Sequence, residues 1–347
     1  MKLESIFRKA IEKKASDIYI TTGSPPVFRI SGDVVMSEEE QVLTDADARS
    51  YLLEAMNETQ SAEFKQKMDV DFSVELPGVA RVRANIFMQR RGIGGVFRLI
   101  PSKIPTMQEL DLPEVFKRIP ELPNGLVLVT GPTGSGKSTT LAALLNDINT
   151  NSDSHIITIE DPIEFVYENS KSVIDQREVH THTESFASAL RAALREDPDV
   201  ILVGEMRDLE TVSLAVTAAE TGHLVFGTLH TNSAAKTIDR LINVFPGDRQ
   251  NQARSELSEA LKAVICQKLM KRADGKGRVA AYEIMFVNTA ISNLIRDSKI
   301  HQIDSVIETS AQDGMQTMHR SIKGLLEKGI ISPEEAEENS PTKSLKA

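Results

Sequence analysis

Apolar residues recur at two different periods along this chain, and the change from one regime to the other divides it. Over the first hundred residues both periods occur. Ile6, Phe7, Ala10 and Ile11 are spaced as one face of a helix. Asp17-Ile18-Tyr19-Ile20 reads as a strand, and after Pro25-Pro26 a second strand, Val27-Phe28-Arg29-Ile30, ends at Ser31-Gly32-Asp33. Thr44-x-x-Asp47 is an N-cap signal for a helix running to about Met56, and another helix is predicted over 58–67. Residues 70–74, 79–88 and 94–100 alternate apolar with polar, with a turn at Pro77-Gly78 after the first of them. Helices with antiparallel strands predict a small α+β domain of a sensory or substrate-binding type over 1–100. Pro101-Ser102-Lys103-Ile104-Pro105 has two prolines and no apolar period, and opens a linker over 101–110.

Beyond the linker, over 111–347, the pattern becomes one of buried strands alternating with helices. Strands are predicted at 126–130, 155–160, 199–205 and 224–229, and helices at 138–148, 185–196 and 209–221, the last stopped by Gly222. Such alternation predicts an α/β domain with a parallel sheet between helices, which binds ligands at the C-terminal ends of its strands. The remainder is predicted mostly helical, over 248–271, 290–300 and 314–328, turning polar and fraying after Pro333.

Between the first of those strands and its helix lies Gly131-Pro132-Thr133-Gly134-Ser135-Gly136-Lys137-Ser138-Thr139, which fits the P-loop pattern. Three glycines let successive N–H groups point into one concavity, to which the helix N-terminus adds partial positive charge. These nine residues are the predicted ATP-binding segment. Lys137 is placed to reach the β- and γ-phosphates and Ser138 to ligate Mg²⁺.

Composition narrows the classes. A length of 347 residues suggests two domains. Forty basic against fifty acidic residues give a net charge of −10, which argues against a dedicated nucleic-acid binder. No run approaches the apolar length of a membrane span, and the charged, periodic N-terminus does not read as a secretory signal, so the expected compartment is the cytoplasm. The single cysteine, Cys266, makes neither an internal disulfide nor a multi-cysteine zinc site, and in its apolar, helix-predicted stretch reads as a small buried hydrophobe.

Glu205 follows a buried strand and is where a P-loop enzyme needs an acid near Mg²⁺ or its water; Gly204 stands where an aspartate is usual, so Glu205 carries that duty alone. Glu160, Asp161 and Glu164 form a second acidic cluster, from which an acid could orient the attacking water. His223 and His230 bracket one strand, point to opposite faces, and so do not share a metal; His230 could sense the γ-phosphate. Arg81 and Arg83 share one strand face, with Arg98 on the next strand, as solvated charges or as arginine fingers supplied in trans.

These segments together resemble the secretion or traffic ATPases. The P-loop resembles their Walker A box, Ile157-Thr158-Ile159-Glu160-Asp161-Pro162-Ile163-Glu164-Phe165 their Asp box, Asp197 through Asp208 their atypical Walker B box, and Thr221 through Thr231 their His box. The likeness extends nearly end to end to the type IV pilus retraction ATPases. Ala290-Ile291-Ser292-Asn293-Leu294-Ile295-Arg296-Asp297 is similar to that branch's retraction motif, with Ser292 where arginine is usual and Asp297 where glutamate is usual. The resemblance implies a PAS-like N-terminal domain joined to a RecA-like ATPase domain with a helical C-terminal part. It implies a homohexamer hydrolysing ATP with Mg²⁺ to power pilus retraction and twitching motility, at the cytoplasmic side of the inner membrane on a pilus platform protein, with a paralogous pilus ATPase as a further partner and no nucleic acid. By the same resemblance Lys137 and Ser138 hold phosphate and metal, Glu205 acts at the metal and water, Glu160 and Glu164 act in the Asp box, His223 and His230 in the His box, and Arg83 and Arg98 reach in trans. Which glutamate is the general base stays open. The alternatives are an accessory retraction ATPase, a pilus-extension or type II secretion ATPase (whose tetracysteine module the one cysteine disfavours), a nucleic-acid translocase, and a scaffold that binds ATP as a switch.

Overall fold

The computed structural model describes residues 2–30, 32–76, 79–100 and 103–340. Ser31, the predicted turn at Pro77-Gly78, and the linker residues Pro101 and Ser102 lie outside the described residues. The chain divides into two compact units, Met1–Lys103 and Ile104–Ala347.

The first unit runs α1 (Lys2–Glu12), β1 (Ala15–Thr21), β2 (Val27–Ile30), β3 (Asp33–Met36), α2 (Asp45–Glu54), α3 (Glu58–Lys67), β4 (Asp69–Leu76), β5 (Ala80–Gln89) and β6 (Gly92–Ile100). Its strands form one antiparallel sheet in the order β3-β2-β1-β6-β5-β4. The Thr44 signal is realised as a capping box: the Thr44 hydroxyl accepts the Asp47 N–H at 3.2 Å and the Asp47 carboxylate accepts the Thr44 N–H at 3.1 Å. Asn57 and Gln60 make a second one for α3. Alternation sends Val82, Ala84 and Ile86 of β5 into the core, where Phe7 and Phe97 meet edge to face at 5.2 Å. Arg81 and Arg83 therefore stand on the other face of that strand.

The second unit contains β7 (Gly125–Thr130), α4 (Lys137–Asn151), β8 (His155–Glu160), β9 (Val173–Glu178), α5 (Phe186–Ala193), β10 (Val200–Val203), α6 (Leu209–Glu220), β11 (Leu224–Leu229), α7 (Ala234–Val244), α8 (Gln250–Ala260), β12 (Leu261–Lys271), β13 (Arg278–Phe286), α9 (Thr289–Arg296), α10 (Ile303–Thr309), α11 (Met318–Glu327) and α12 (Pro333–Asn339). The sheet order is β13-β12-β7-β11-β10-β8-β9, parallel from β12 to β9, with β13 added antiparallel. Strands β7, β10 and β11 are buried at every position, because helices cover both faces of a parallel sheet.

Expectations change in the middle of the chain and in its C-terminal third. The helix predicted over 248–271 stops at Ala260, and the rest of that run is strand β12, so Cys266 lies in a sheet rather than a helix. An unbroken apolar run has no period to separate a buried helix from a buried strand, and here pairing with β7 and β13 decides. Strands β13 and β9 were not predicted at all. The tail expected to fray after Pro333 is helical to Asn339, started by a Ser332 cap and a proline in the first turn.

Candidate functional site

The loop after β7 is built by its glycines. Gly131, Gly134 and Gly136 have φ of +144°, +76° and +88°, conformations that cost other residues strain. Space enforces two of them as well: a Cβ on Gly131 would lie 2.2 Å from the Gln267 carbonyl oxygen, and one on Gly136 2.8 Å from the Gln267 Nε2. Gly136 is the N-cap of α4 and gives it no side-chain cap, which leaves the first-turn N–H groups for an anion. Lys137 is largely buried and donates to the Gly131 carbonyl at 2.9 Å and the Pro132 carbonyl at 3.2 Å. Burial holds its pKa below the usual lysine value, against the opposing pull of Glu205 and Glu164. The Ser135 hydroxyl is buried with no hydrogen-bond partner among the described residues, Ser138 and Thr139 occupy the first turn of α4, and Pro132, Thr133 and Gly134 are exposed at the rim.

The sheet order lines up the other candidates. Strands β7, β11, β10 and β8 are neighbours in that order, and their C-terminal ends deliver the P-loop, His230, Glu205 and Glu160 along one edge. The His230 Nε2 is 3.2 Å from the Glu205 Oε1, and the same oxygen accepts from Arg207, an exposed partner with no signal of its own in the sequence. Gly204 is fixed by its neighbours: its N–H donates to the Ile159 carbonyl at 2.8 Å, and a Cβ there would sit 3.0 Å from that oxygen and 3.2 Å from the Glu160 Cα. Backbone approach between β10 and β8 thus crowds any larger residue at 204, which would have to move its neighbours by a few tenths of an ångström, and Glu205 is the acid on this strand end.

Glu160 is buried and held on three sides. Its carboxylate accepts from the Thr158 hydroxyl at 2.7 Å, the Gln176 amide at 3.3 Å and the Glu164 N–H at 3.3 Å. Burial raises its pKa to about 7, with those hydrogen bonds pulling it back down. Glu164 is exposed, and Asp161 is exposed beside it. Glu178, opposite Glu160 on β9, accepts the Ile163 N–H at 3.1 Å and closes the acidic loop; strand β9 has too few apolar residues to have been legible.

The remaining candidates lie elsewhere. His223 precedes β11, with its Nδ1 2.9 Å from the Ala218 carbonyl, and its own carbonyl accepts the N–H of Gly125 where β7 begins. It is at the opposite edge of the sheet from His230, about 20 Å along the strand, so this chain does not bring the two histidines together. Arg83 and Arg98 are direct partners in the β5–β6 ladder of the first unit. Arg83 makes a two-pronged contact with Asp71 at 2.7 and 3.2 Å, and exposed Arg98 donates to buried Asp17 at 2.9 Å.

The Type II/IV secretion system protein family model matches residues 1–338. A type IV pilus retraction ATPase, PilT, of Pseudomonas aeruginosa is 54% identical over 340 residues, 98% of each chain. A twitching motility protein of Neisseria gonorrhoeae is 53% identical across 93% of this chain and 88% of its own. Among solved structures, the pilus retraction motor PilT with bound ADP superposes with a TM-score of 0.92 at 47% identity, covering 99% of this chain and 98% of that one.

Proposed function

The chain belongs to the Type II/IV secretion system protein family, and from that premise we propose that it is the homohexameric ATPase that powers type IV pilus retraction and twitching motility. The observation that carries the reading is Lys137 folded back on the P-loop carbonyls while Glu205, Glu164 and His230 gather on the neighbouring strand ends. The residues fit a nucleotide with Mg²⁺: a glycine cradle, an uncapped helix N-terminus, and a buried Ser135 hydroxyl without a hydrogen-bond partner among the described residues.

Lys137 leaves its two carbonyl acceptors for the phosphates, and the first-turn N–H groups of α4 add to that grip. Ser138 and Glu205 would hold Mg²⁺, which when bound neutralises developing charge on the phosphate oxygens. Glu205 receives the proton of the attacking water, and the His230 Nε2, 3.2 Å from its Oε1, orients that carboxylate. Glu160 orients the Asp-box loop through the Glu164 N–H, so that Glu164 faces Lys137. Arg83 and Arg98, adjacent on one sheet, serve the site of a neighbouring protomer in the hexamer. Among the described residues no helix is long and apolar enough to cross a membrane. The motor works from the cytoplasmic face of the inner membrane on a pilus platform protein, with a paralogous pilus ATPase as an additional partner.

Steady-state ATPase activity and solution mass, with and without Mg-ATP, test the reading. A hexamer hydrolysing ATP without nucleic acid is expected, with turnover abolished in Lys137→Ala. Cells lacking the protein should be hyperpiliated and unable to twitch; bald cells would point to extension instead, and stimulation of ATPase by DNA or RNA to a translocase.

A further inference from the structure

We propose that Gln267, on strand β12, is a positioning residue for the nucleotide: its side-chain amide sets the shape of the phosphate loop, and so sets the affinity for ATP. The proposal rests on the reading of that loop as a nucleotide site.

Gln267 is 4% exposed, a polar residue in a strand whose other inward positions are apolar. Burying an amide is unfavourable unless its donor and acceptor are both matched. Here both are matched by the P-loop and the helix it opens. Nε2 donates to the Ser135 carbonyl at 2.8 Å, and Oε1 accepts from the Thr140 hydroxyl at 2.8 Å. One side chain therefore ties the middle of the loop to the first turn of α4.

The first of these bonds has a direct effect on anion binding. In a trans peptide the carbonyl of one residue and the N–H of the next point in opposite directions. With the Ser135 carbonyl held toward β12, the Gly136 N–H is turned away from β12, toward the mouth of the loop. Releasing that carbonyl lets the peptide rotate and the N–H leave the concavity. The close packing of Gln267 against Gly131 and Gly136 belongs to the same device, since residue 267 occupies the space their side chains would need.

Gln267→Met preserves length and packing but removes both hydrogen bonds. Titration of the full chain with Mg²⁺ and a fluorescent ADP analogue, steady-state kinetics, and the melting temperature of the nucleotide-free protein form the test. The expected result is nucleotide affinity weakened about tenfold, matching the loss of one to two net hydrogen bonds, with KM for ATP raised by the same factor. kcat should stay within about threefold, because the fault lies in binding geometry, while the melting temperature falls by a few degrees, since the buried Ser135 carbonyl and Thr140 hydroxyl lose their partner. Gln267→Glu, which keeps the Thr140 bond but turns a carboxylate on the Ser135 carbonyl, should bind more weakly still, and decides the matter if the methionine variant does not fold. Affinity within twofold of wild type in either folded variant overturns the proposal. Lys137→Ala separates this from the underlying reading: wild-type protein that binds the probe no better than Lys137→Ala overturns the nucleotide site itself.

Discussion

At Glu160 three hydrogen-bond donors and a buried position act against each other, and burial is the stronger. Its carboxyl titrates near 7 rather than the ordinary 4.5. A raised acid pKa means the folded chain binds more protons than the unfolded one between those two values. The stability this supplies is complete below pH 4.5 and is lost as pH rises through about 7. Its size is about 3 kcal/mol. The nucleotide-free protein should therefore lose stability toward neutral pH, and Glu160→Gln should flatten that slope in urea melts taken between pH 5 and 8. An unchanged slope would mean that Glu160 is not the group that titrates. In wild-type protein the ionised carboxylate is also the form that accepts the Glu164 N–H best, so turnover should climb across the same interval. The roles of such residues were partly legible in the sequence. The P-loop and the acids at strand ends are local patterns, whereas the bonds from Thr158 and Gln176 that fix Glu160 depend on which strands become neighbours.

Among elements, α7 and α11 share an anchor. Glu283 of β13 is 7% exposed and accepts the Ala234 N–H at 2.7 Å at the start of α7, and the backbone of Met318 at the start of α11 also favours its ionised form. Two helix N-termini thus converge on one buried carboxylate, whose charge their dipoles favour while burial raises its pKa. Glu283→Ala should lower stability by about 2 kcal/mol, the loss of a hydrogen bond to a charged group, and Glu283→Gln by about 1 kcal/mol because an acceptor survives. Urea midpoints of the two variants would check this, and equal losses would refute the anchor. None of this is legible in the sequence, because the apolar run of β12 has no period to set it apart from a helix and β13 is declared a strand only by its pairing with β12. The elements that were legible carry their own punctuation: Thr44 and Asp47 before α2, the glycine loop before α4, alternation through β5. Strand β12 has no such mark. Its residues 261–266 are buried or nearly so, and only the partners β7 and β13 declare it a strand.

For the whole molecule, the proposed trans arginines make a prediction that involves more than one copy. Arg83→Ala or Arg98→Ala should lose ATPase rate while nucleotide affinity stays within a few fold. Mixing either with Lys137→Ala should restore part of that rate, since a mixed ring contains sites with an intact P-loop beside an intact arginine pair. No recovery in rings shown by mass to be mixed would return both arginines to their pairs with Asp71 and Asp17. The sheet order bears on how the chain is made. Strand β7 takes one neighbour, β11, from the middle of the chain and the other, β12, from far downstream. A ribosome needs roughly ten seconds to travel from the first to the last of these strands. Throughout that time the nascent P-loop strand has an open edge, the kind of edge that recruits strands from other chains. A chain cut after Ala260 should accordingly aggregate and retain no ADP on gel filtration. Until β12 is in place, ATP in the cell has no finished cradle to bind, and the motor's own fuel can stabilise only molecules that have already folded.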